Sequence, residues 1–112
     1  MEAIEVTTFK LSRGLTMADF IAANIDVDAW LLNQPGFVSR RIAQRDDGVV
    51  IDMLIWKSAR HGEDAAGRLM EELVSSPVHA GIDQDTVSWT VSPVHHRLDA
   101  KGQSGPTTAQ SR

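Results

Sequence analysis

The sequence predicts a single α+β domain whose elements follow the order β-α-β-β-α-β. Apolar residues recur with helical spacing in two stretches, Met17–Asn33 and Glu63–Val74, and the runs around them are short and rich in β-branched residues. The turn signal Asp46-Asp47-Gly48 joins two of those runs directly as a hairpin. The run Val49–Trp56 is almost continuously apolar, which is typical of a strand at the centre of a sheet.

The first strand and the first helix have clear boundary residues. The β-branched and aromatic run Ile4–Leu11 predicts the strand. Thr16 caps the helix, and Asp19 three residues later completes a capping-box-like pattern. The helix then covers about Met17–Asn33, and Pro35–Gly36 ends it.

The middle of the chain contains the hairpin and the second helix. Strands are predicted over about Phe37–Arg45 and Val49–Trp56, on either side of the turn. Ser58 can cap the second helix, which covers about Glu63–Val74. Pro77 ends this region and can open a short further turn.

The fourth strand, about Thr86–Pro93, is followed by a segment of different composition. Leu98–Arg112 is rich in glycine, serine and threonine and has no aromatic residue. Such a segment buries too little apolar surface to offset its ordering entropy. We therefore expect a folded domain over residues 1–97 and a flexible tail over residues 98–112. An alternative is that this tail docks on a partner subunit.

The predicted order of elements corresponds to the ferredoxin-like arrangement. Right-handed crossovers place both helices on one face of a four-stranded antiparallel sheet with the strand order 4-1-3-2. The third strand is then central, and its apolar residues on the opposite face need a cover that the helices cannot supply. We therefore expect a homodimer in which one sheet packs on the other.

Composition and charge exclude several classes of function. The chain has no cysteine, which excludes disulfides, thiol nucleophiles and thiolate-held metal centres. Its formal net charge of −4 gives no electrostatic basis for binding nucleic acid or an anionic membrane. The stretch Met1–Lys10 lacks the basic start and apolar run of a signal peptide, and no apolar run approaches the roughly 20 residues of a spanning helix. We expect a cytoplasmic protein.

Three segments together resemble one protein superfamily. They are Gln34–Val38, which leads into the second strand, Val50–Ser58 in the third strand, and Leu73–Pro77 after the second helix. Over about Ile4–His95 the chain is similar to the dimeric α/β-barrel superfamily, and within it to the antibiotic biosynthesis monooxygenase-like members. The resemblance implies a homodimer of ferredoxin-like subunits, each with a pocket between sheet and helices. Members of the superfamily include cofactor-independent monooxygenases, haem-degrading enzymes and isomerases.

The sequence departs from the haem-degrading members. Their histidine ligand lies about one turn beyond the position of His79, where this chain has Asp83. The asparagine of their first strand has no counterpart in Glu5–Phe9, and only Trp56 matches their tryptophan in outline. The resemblance therefore implies a protein that uses no bound prosthetic group, and we expect no cofactor.

Asn24 and Asp28 are the most unusual residues of the predicted first helix. At about 100° per residue they fall near the middle of its apolar arc, one turn apart. An amide and a carboxylate in an apolar interface must be hydrogen-bonded or wet. They predict either a polar cluster that lines a pocket or a structural pair. A rotated helix would instead place Asp28 at its edge.

Asp52 interrupts the apolar third strand on the same face as Trp56. A two-residue hairpin turn places Ala43 opposite Asp52, with Arg41 and Arg45 as its diagonal neighbours. A three-residue loop would change this register. Asp52 is therefore predicted either to form a buried ion pair with an arginine or, if it lacks a cation, to act as a general base.

The three tryptophans have different predicted surroundings. Trp30 falls on the side of the first helix away from the apolar arc, where an exposed tryptophan marks a contact with the partner subunit or the tail. Trp56 and Trp89 lie in strands. They are predicted to pack in the core or to form a flat wall for an aromatic ligand.

His79 is the histidine best placed for chemistry. It follows Pro77, near the mouth of a pocket between helix and sheet. No histidine spacing matches a metal motif, so we predict no metal site. A spatial cluster of His79, Asp28 and Asp52 is the less favoured alternative.

The leading hypothesis is a small-molecule-binding protein with monooxygenase-like activity toward an aromatic or polyketide-like compound. Asp28 or His79 would take a proton from the substrate, and Asn24 would stabilise the resulting oxyanion. The residues that would contact the substrate are Asp52, Trp56 and Trp89. The rival hypothesis is a non-catalytic ligand-binding or structural homodimer.

Overall fold

A computed structural model describes residues 1–101, so the part of the predicted tail beyond Lys101 lies outside the described residues. The elements are β1 (Ala3–Leu11), α1 (Met17–Ala22), α2 (Ile25–Leu31), β2 (Phe37–Gln44), β3 (Val50–Trp56), α3 (Ala59–Glu72), a 3₁₀ helix (Pro77–Gly81) and β4 (Ile82–Pro93). Within residues 1–101, none of the helices has the length and apolar character needed to cross a membrane.

The sheet has the predicted topology. All of its strand pairs are antiparallel, and the order β2-β3-β1-β4 is the predicted 4-1-3-2 order counted from the opposite edge. β1 and β3 are central, and their register pairs Glu5 with Leu54 and Thr7 with Asp52. The ferredoxin-like α+β fold is therefore confirmed.

The predicted first helix is divided into two. α1 begins as predicted, because the Thr16 hydroxyl accepts a hydrogen bond from the Asp19 amide and the Asp19 carboxylate accepts one from the Thr16 amide. The helix stops after Ala22, and Asn24 adopts a non-helical conformation with φ −97° and ψ 4°. The Asn24 side-chain amide donates to the Phe20 carbonyl at 2.9 Å and so competes with the backbone ladder. α2 then starts at Ile25, with Asn24 buried at the break.

Two other boundaries differ from the prediction. α3 begins at Ala59, directly after Ser58, whose hydroxyl caps it by accepting from the His61 amide. β4 begins at Ile82 instead of about Thr86. Its first part pairs with β1 through a bulge, where the backbone amide of Lys10 donates to the Thr86 hydroxyl at 2.8 Å. The sequence did not predict this extension of β4, because the residues between Ile82 and Thr86 are polar.

The core lies between the sheet and the helices. Its buried members come from every layer: Phe9, Phe20, Val27, Leu31, Val50, Leu54, Trp56, Ala65 and Val78. On the other face of the sheet, the alternate residues of the two central strands are only half-buried: Ile4, Val6, Ile51, Met53 and Ile55. No helix of the described chain covers this second face, which we call the open face.

Candidate functional site

A cavity of about 530 Å³ lies between the helices and the helix-facing side of the sheet. Its wall is mainly apolar and aromatic, and its polar residues come from separate elements. Five of the six predicted site residues line it: Asn24, Asp52, Trp56, His79 and Trp89. The sixth, Asp28, does not line the cavity.

Arg40 connects the polar residues of the first helical region with the sheet. Its guanidinium makes two hydrogen bonds to Asp52, from Nε to Oδ1 at 3.0 Å and from Nη2 to Oδ2 at 2.7 Å. It also donates to Asp28 Oδ1 and to Asn24 Oδ1, both at 2.8 Å. The Asn24 and Asp28 side chains are therefore joined through Arg40, and no hydrogen bond links these two side chains directly within residues 1–101.

The members of this Arg40 cluster differ in exposure. The Arg40 and Asp52 side chains are 10% and 13% exposed, whereas Asp28 is 62% exposed. Asp28 thus lies at the helix edge, as the rotated-helix alternative requires. Burial by itself lowers the pKa of Arg40, but the hydrogen bonds and charges of Asp52 and Asp28 outweigh burial and raise that pKa above its ordinary value. The guanidinium is therefore charged and anchored.

The arginine partner of Asp52 differs from the predicted ones. The hairpin loop contains three residues between Arg45 and Val49, whose backbones close it with a 2.8 Å hydrogen bond. Ile42 therefore pairs with Asp52, and Ala43 does not. This shift turns Arg41 to the open face, so the prediction of Arg41 and Arg45 as neighbours was wrong. Arg40 takes that position on the helix-facing side.

Glu5 is a functional candidate that the sequence analysis missed. Its side chain lines the cavity and is buried, with 7% of the residue exposed. Trp56 Nε1 donates to one carboxylate oxygen at 2.8 Å, and Trp89 Nε1 donates to the other at 2.6 Å. Burial raises the pKa of Glu5; the two indole hydrogen bonds only partly oppose it. The signal was present in β1, because strict alternation with Ala3 and Phe9 places Glu5 on the interior face.

Trp56 is held in place from both sides. Its ring meets Phe37 edge to face, with centroids 5.5 Å apart and an interplanar angle of 74°. The first turn of α3 passes close to the indole at Gly62, where an added Cβ would lie 2.9 Å from Trp56 Cδ1. The indole N–H consequently has a fixed direction toward Glu5.

Trp30 is not the exposed contact residue predicted from the sequence. It is half-buried, packs against the core and lines the cavity, and its indole Nε1 donates to Glu72 Oε1 at 2.9 Å. The break at Asn24 explains the difference, because α2 no longer continues the helical phase of α1. Trp30 therefore joins Trp56 and Trp89 in the cavity wall.

His79 lies in the 3₁₀ helix with one ring nitrogen already engaged. Its Nε2 is 2.8 Å from the Leu73 carbonyl oxygen. A carbonyl only accepts, so Nε2 carries the proton in the neutral ring. Nδ1 then presents a lone pair, and it has no hydrogen-bond partner among residues 1–101. A neutral histidine in this tautomer can accept a proton from a bound molecule.

The described residues do not assemble a metal centre. No group of three or more histidine, aspartate or glutamate side chains within residues 1–101 is arranged to hold a metal ion. The cluster of His79, Asp28 and Asp52 considered from the sequence does not form, because both aspartates face Arg40.

Solved structures of several antibiotic biosynthesis monooxygenase-like proteins are similar to this chain in their ferredoxin-like fold. SnoaB, a cofactor-independent oxygenase from Streptomyces nogalater, superposes with a TM-score of 0.68 at 17% identity, over 88% of this chain and 98% of SnoaB. The monooxygenase ActVA-Orf6 of Streptomyces coelicolor, solved with nanaomycin D, gives a TM-score of 0.57 at 22% identity, over 88% and 92% of the two chains. A Nitrosomonas europaea protein provisionally assigned as an antibiotic biosynthesis monooxygenase gives 0.64 at 11% identity, over 84% and 91%.

At these sequence identities the structural similarity establishes the fold only, so the chemistry has to be argued from the residues of the site. No protein-family model and no curated protein sequence matches this chain.

Proposed function

We propose that this protein is a monooxygenase-like enzyme that oxidises an aromatic or polyketide-like compound without a bound cofactor. The observation that carries the proposal is the cavity of about 530 Å³, in which an apolar, tryptophan-rich wall surrounds a few convergent polar groups. The fold neighbours support it, since SnoaB is a cofactor-independent oxygenase and ActVA-Orf6 is a monooxygenase.

His79 is the proposed base, and Asn24 the proposed stabiliser of the oxyanion. Nδ1 of the neutral His79 ring would take a proton from an activated carbon of the substrate. Asn24 donates one of its two side-chain N–H hydrogens to Phe20, which leaves the second for a substrate oxygen. Arg40 donates to the Asn24 carbonyl oxygen, and this polarises the amide and strengthens its N–H as a donor.

The overall reaction balances without an external reductant. The deprotonated substrate passes one electron to dioxygen, and the two radicals combine into a carbon-bound peroxide. The peroxide takes up a proton and eliminates water, so that a CH₂ group and O₂ become a carbonyl and H₂O. The substrate supplies every electron, and the protein's task is to remove the proton and stabilise negative charge.

Asp28 has no part in this proposal, whereas Asp52, Trp56 and Trp89 keep supporting roles. Asp28 lies outside the cavity, and its carboxylate accepts a hydrogen bond from Arg40. Asp52 holds the Arg40 guanidinium that polarises Asn24. Trp56 and Trp89 would contact the ring system of the substrate.

The test is oxygen consumption with anthrone, a tricyclic aromatic ketone whose central CH₂ can be ionised. The purified protein should accelerate conversion of anthrone to anthraquinone above the rate in buffer, with one O₂ consumed per product and EDTA present. His79→Ala should lower the rate roughly a hundred-fold. The matched control is His95→Ala, because His95 is exposed beyond β4 and does not line the cavity. Tight binding of anthrone with no acceleration would favour the non-catalytic ligand-binding alternative.

We also propose that the protein is a homodimer formed through the open face. The half-buried apolar residues of β1 and β3 on this face support the proposal, because a second sheet would remove them from water. The helices and the cavity lie on the opposite side of the sheet, so each subunit would keep its own site.

A further inference from the structure

The Glu5 carboxylate is buried without a cation. Its two oxygens accept only from the indoles of Trp56 and Trp89, and no lysine, arginine or histidine within residues 1–101 forms an ion pair with it. The nearby Arg40 directs its hydrogen bonds to Asp52, Asp28 and Asn24. Burying a carboxylate in this way is costly, so a group that is retained here is a candidate for recognition or chemistry.

Glu5 has unused capacity to accept hydrogen bonds. A carboxylate offers about four acceptor positions, and the two indole donors occupy one on each oxygen. Because both oxygens are fixed by tryptophan side chains, the orientation of the carboxylate is set before any ligand arrives. Glu5 lines the cavity, so the remaining positions are open to a molecule that enters it.

The charges around the inner wall disfavour an anionic ligand. Arg40 is the cation of this region among residues 1–101, and Asp52 and Asp28 already hold it in two ion pairs. Glu5 adds a third carboxylate, and the charge of Asp52 acts on Glu5 with the same sign. A carboxylate or phosphate group inside the cavity would meet net negative charge at low dielectric and find no free cation.

We propose that Glu5 is the recognition residue of the cavity, where it accepts a hydrogen bond from the hydroxyl group of an uncharged aromatic ligand and excludes anionic analogues. This inference rests on the proposed function in placing the substrate in the same cavity. It narrows the substrate class to neutral ring systems that carry a hydroxyl group, which the enol tautomer of anthrone also provides. Glu5 itself need not take the proton that is removed in the reaction.

The first experiment compares three naphthalene probes on the wild-type protein by isothermal titration calorimetry. 2-Naphthol carries the donor hydroxyl, 2-methoxynaphthalene retains the ring and oxygen but lacks the donor hydrogen, and 2-naphthoate carries a negative charge. 2-Naphthol should bind roughly ten-fold more tightly than either of the others, the ratio expected for a hydrogen bond to a charged acceptor. Failure of 2-naphthol to bind, or equal binding of 2-naphthol and 2-methoxynaphthalene, would overturn the inference.

The second experiment repeats the comparison with Glu5→Gln. This change keeps the size of the side chain and removes the charge, so 2-naphthol should lose most of its roughly ten-fold advantage over 2-naphthoate. Glu71→Gln is the matched control, because Glu71 is exposed on α3 and does not line the cavity. The control should keep the wild-type ratio. An unchanged ratio in Glu5→Gln, or an equal change in both variants, would contradict a specific role for Glu5.

The two proposals fail in different ways. If the probes show the expected selectivity but anthrone oxidation is not accelerated, the recognition role stands and the oxygenase proposal fails. If anthrone is oxidised but the probes bind without preference, the oxygenase proposal stands and the recognition role of Glu5 fails. If Glu5→Gln does not fold, the comparison of the three probes on the wild-type protein still tests the inference, because equal binding of 2-naphthol and 2-methoxynaphthalene would overturn it.

Discussion

Arg40 is held by two aspartates that differ in burial, and this difference has a measurable consequence. Asp52 is 13% exposed and makes two hydrogen bonds to Arg40, whereas Asp28 is 62% exposed and makes one. Asp52→Asn removes the main counter-charge of a buried guanidinium and should cost about 3 kcal/mol in the free energy of unfolding. Asp28→Asn breaks a largely solvated pair and should cost less than about 1 kcal/mol.

Urea unfolding of the two variants at neutral pH measures this difference. The substitutions are chemically identical and act on the same partner, so each is a control for the other. Equal losses of stability would contradict the picture of Asp52 as the principal anchor of Arg40.

The pKa of Glu5 links stability to pH with a defined sign. Burial raises the pKa of the folded state above the ordinary value of 4.5, so the folded protein holds this proton more tightly than the unfolded chain. The stabilising contribution of Glu5 is therefore fully present below about pH 4.5 and is lost as the pH rises through the raised pKa. Relative to Glu5→Gln, the wild-type protein should lose free energy of unfolding across this range. Urea titrations from acid to neutral pH will show the trend.

Asp19 provides the opposite sign in the same experiment. The backbone amide of Thr16 donates to its carboxylate and lowers the Asp19 pKa below its usual value of 3.8. The contribution of Asp19 is therefore present above that value and is lost as the pH falls. Relative to Asp19→Asn, the wild-type protein should gain stability as the pH rises. Parallel trends for Glu5 and Asp19 would be inconsistent with the structure.

At the scale of elements, the sequence predicted the strands and the order of the sheet better than it predicted the first helix. The capping box at Thr16 and the apolar run of β3 are local signals, and both have the expected outcome. The break after Ala22 is not local. It depends on the Asn24 side chain, which bonds back to Phe20 on one side and to Arg40 of β2 on the other. A partner 16 residues away cannot be read from helical periodicity.

Gly36 joins α2 to β2, and its lack of a side chain is required twice. Its φ of +79° is unfavourable for other residues, and an added Cβ would overlap the His61 ring. That ring cannot turn aside freely, because its Nδ1 is 2.8 Å from the Ser58 hydroxyl. Gly36→Ala should therefore cost more than backbone strain alone.

Gly48→Ala measures the cost of a positive φ without a steric clash, since Gly48 has a φ of +89° and no atom lies within 4 Å of an added Cβ. This control should lose about 1–2 kcal/mol of unfolding free energy. Gly36→Ala should lose about 1–3 kcal/mol more, because the clash adds to the same strain. Thermal unfolding by circular dichroism compares the two, and similar melting temperatures would show that the His61 contact is soft.

For the molecule as a whole, most of the residues proposed from the sequence line the cavity, but the contacts that connect them were not predicted. Trp56 reaches the cavity because strand alternation determines its face. Asn24 was expected there from helical phase and reaches the cavity from the helix break, and His79 reaches it from the 3₁₀ helix that Pro77 opens. Glu5 and Arg40 escaped notice for different reasons. Glu5 needed only the same alternation rule applied to β1. Arg40 required the three-residue hairpin loop, which the sequence left open as the alternative to a two-residue turn. A one-residue shift of register moves every side chain of a strand to the other face.

The homodimer proposal makes a prediction about the open face. Met53 lies near its centre on β3 and pairs with Val6 of β1. Native mass spectrometry of the wild-type protein at micromolar concentration should give twice the 12.3 kDa mass of the chain. Met53→Lys should shift the protein to the monomer, because it buries an ammonium group among the apolar residues of β1 and β3 and beside the positive charge of Arg41, its cross-strand neighbour. Met70→Lys is the matched control, since Met70 is 62% exposed on α3, on the helix-covered side of the sheet. The control should remain a dimer.

A wild-type monomer would disprove the assembly. Dissociation by Met70→Lys with a surviving Met53→Lys dimer would place the interface on the helices, and the open apolar face would then need another explanation.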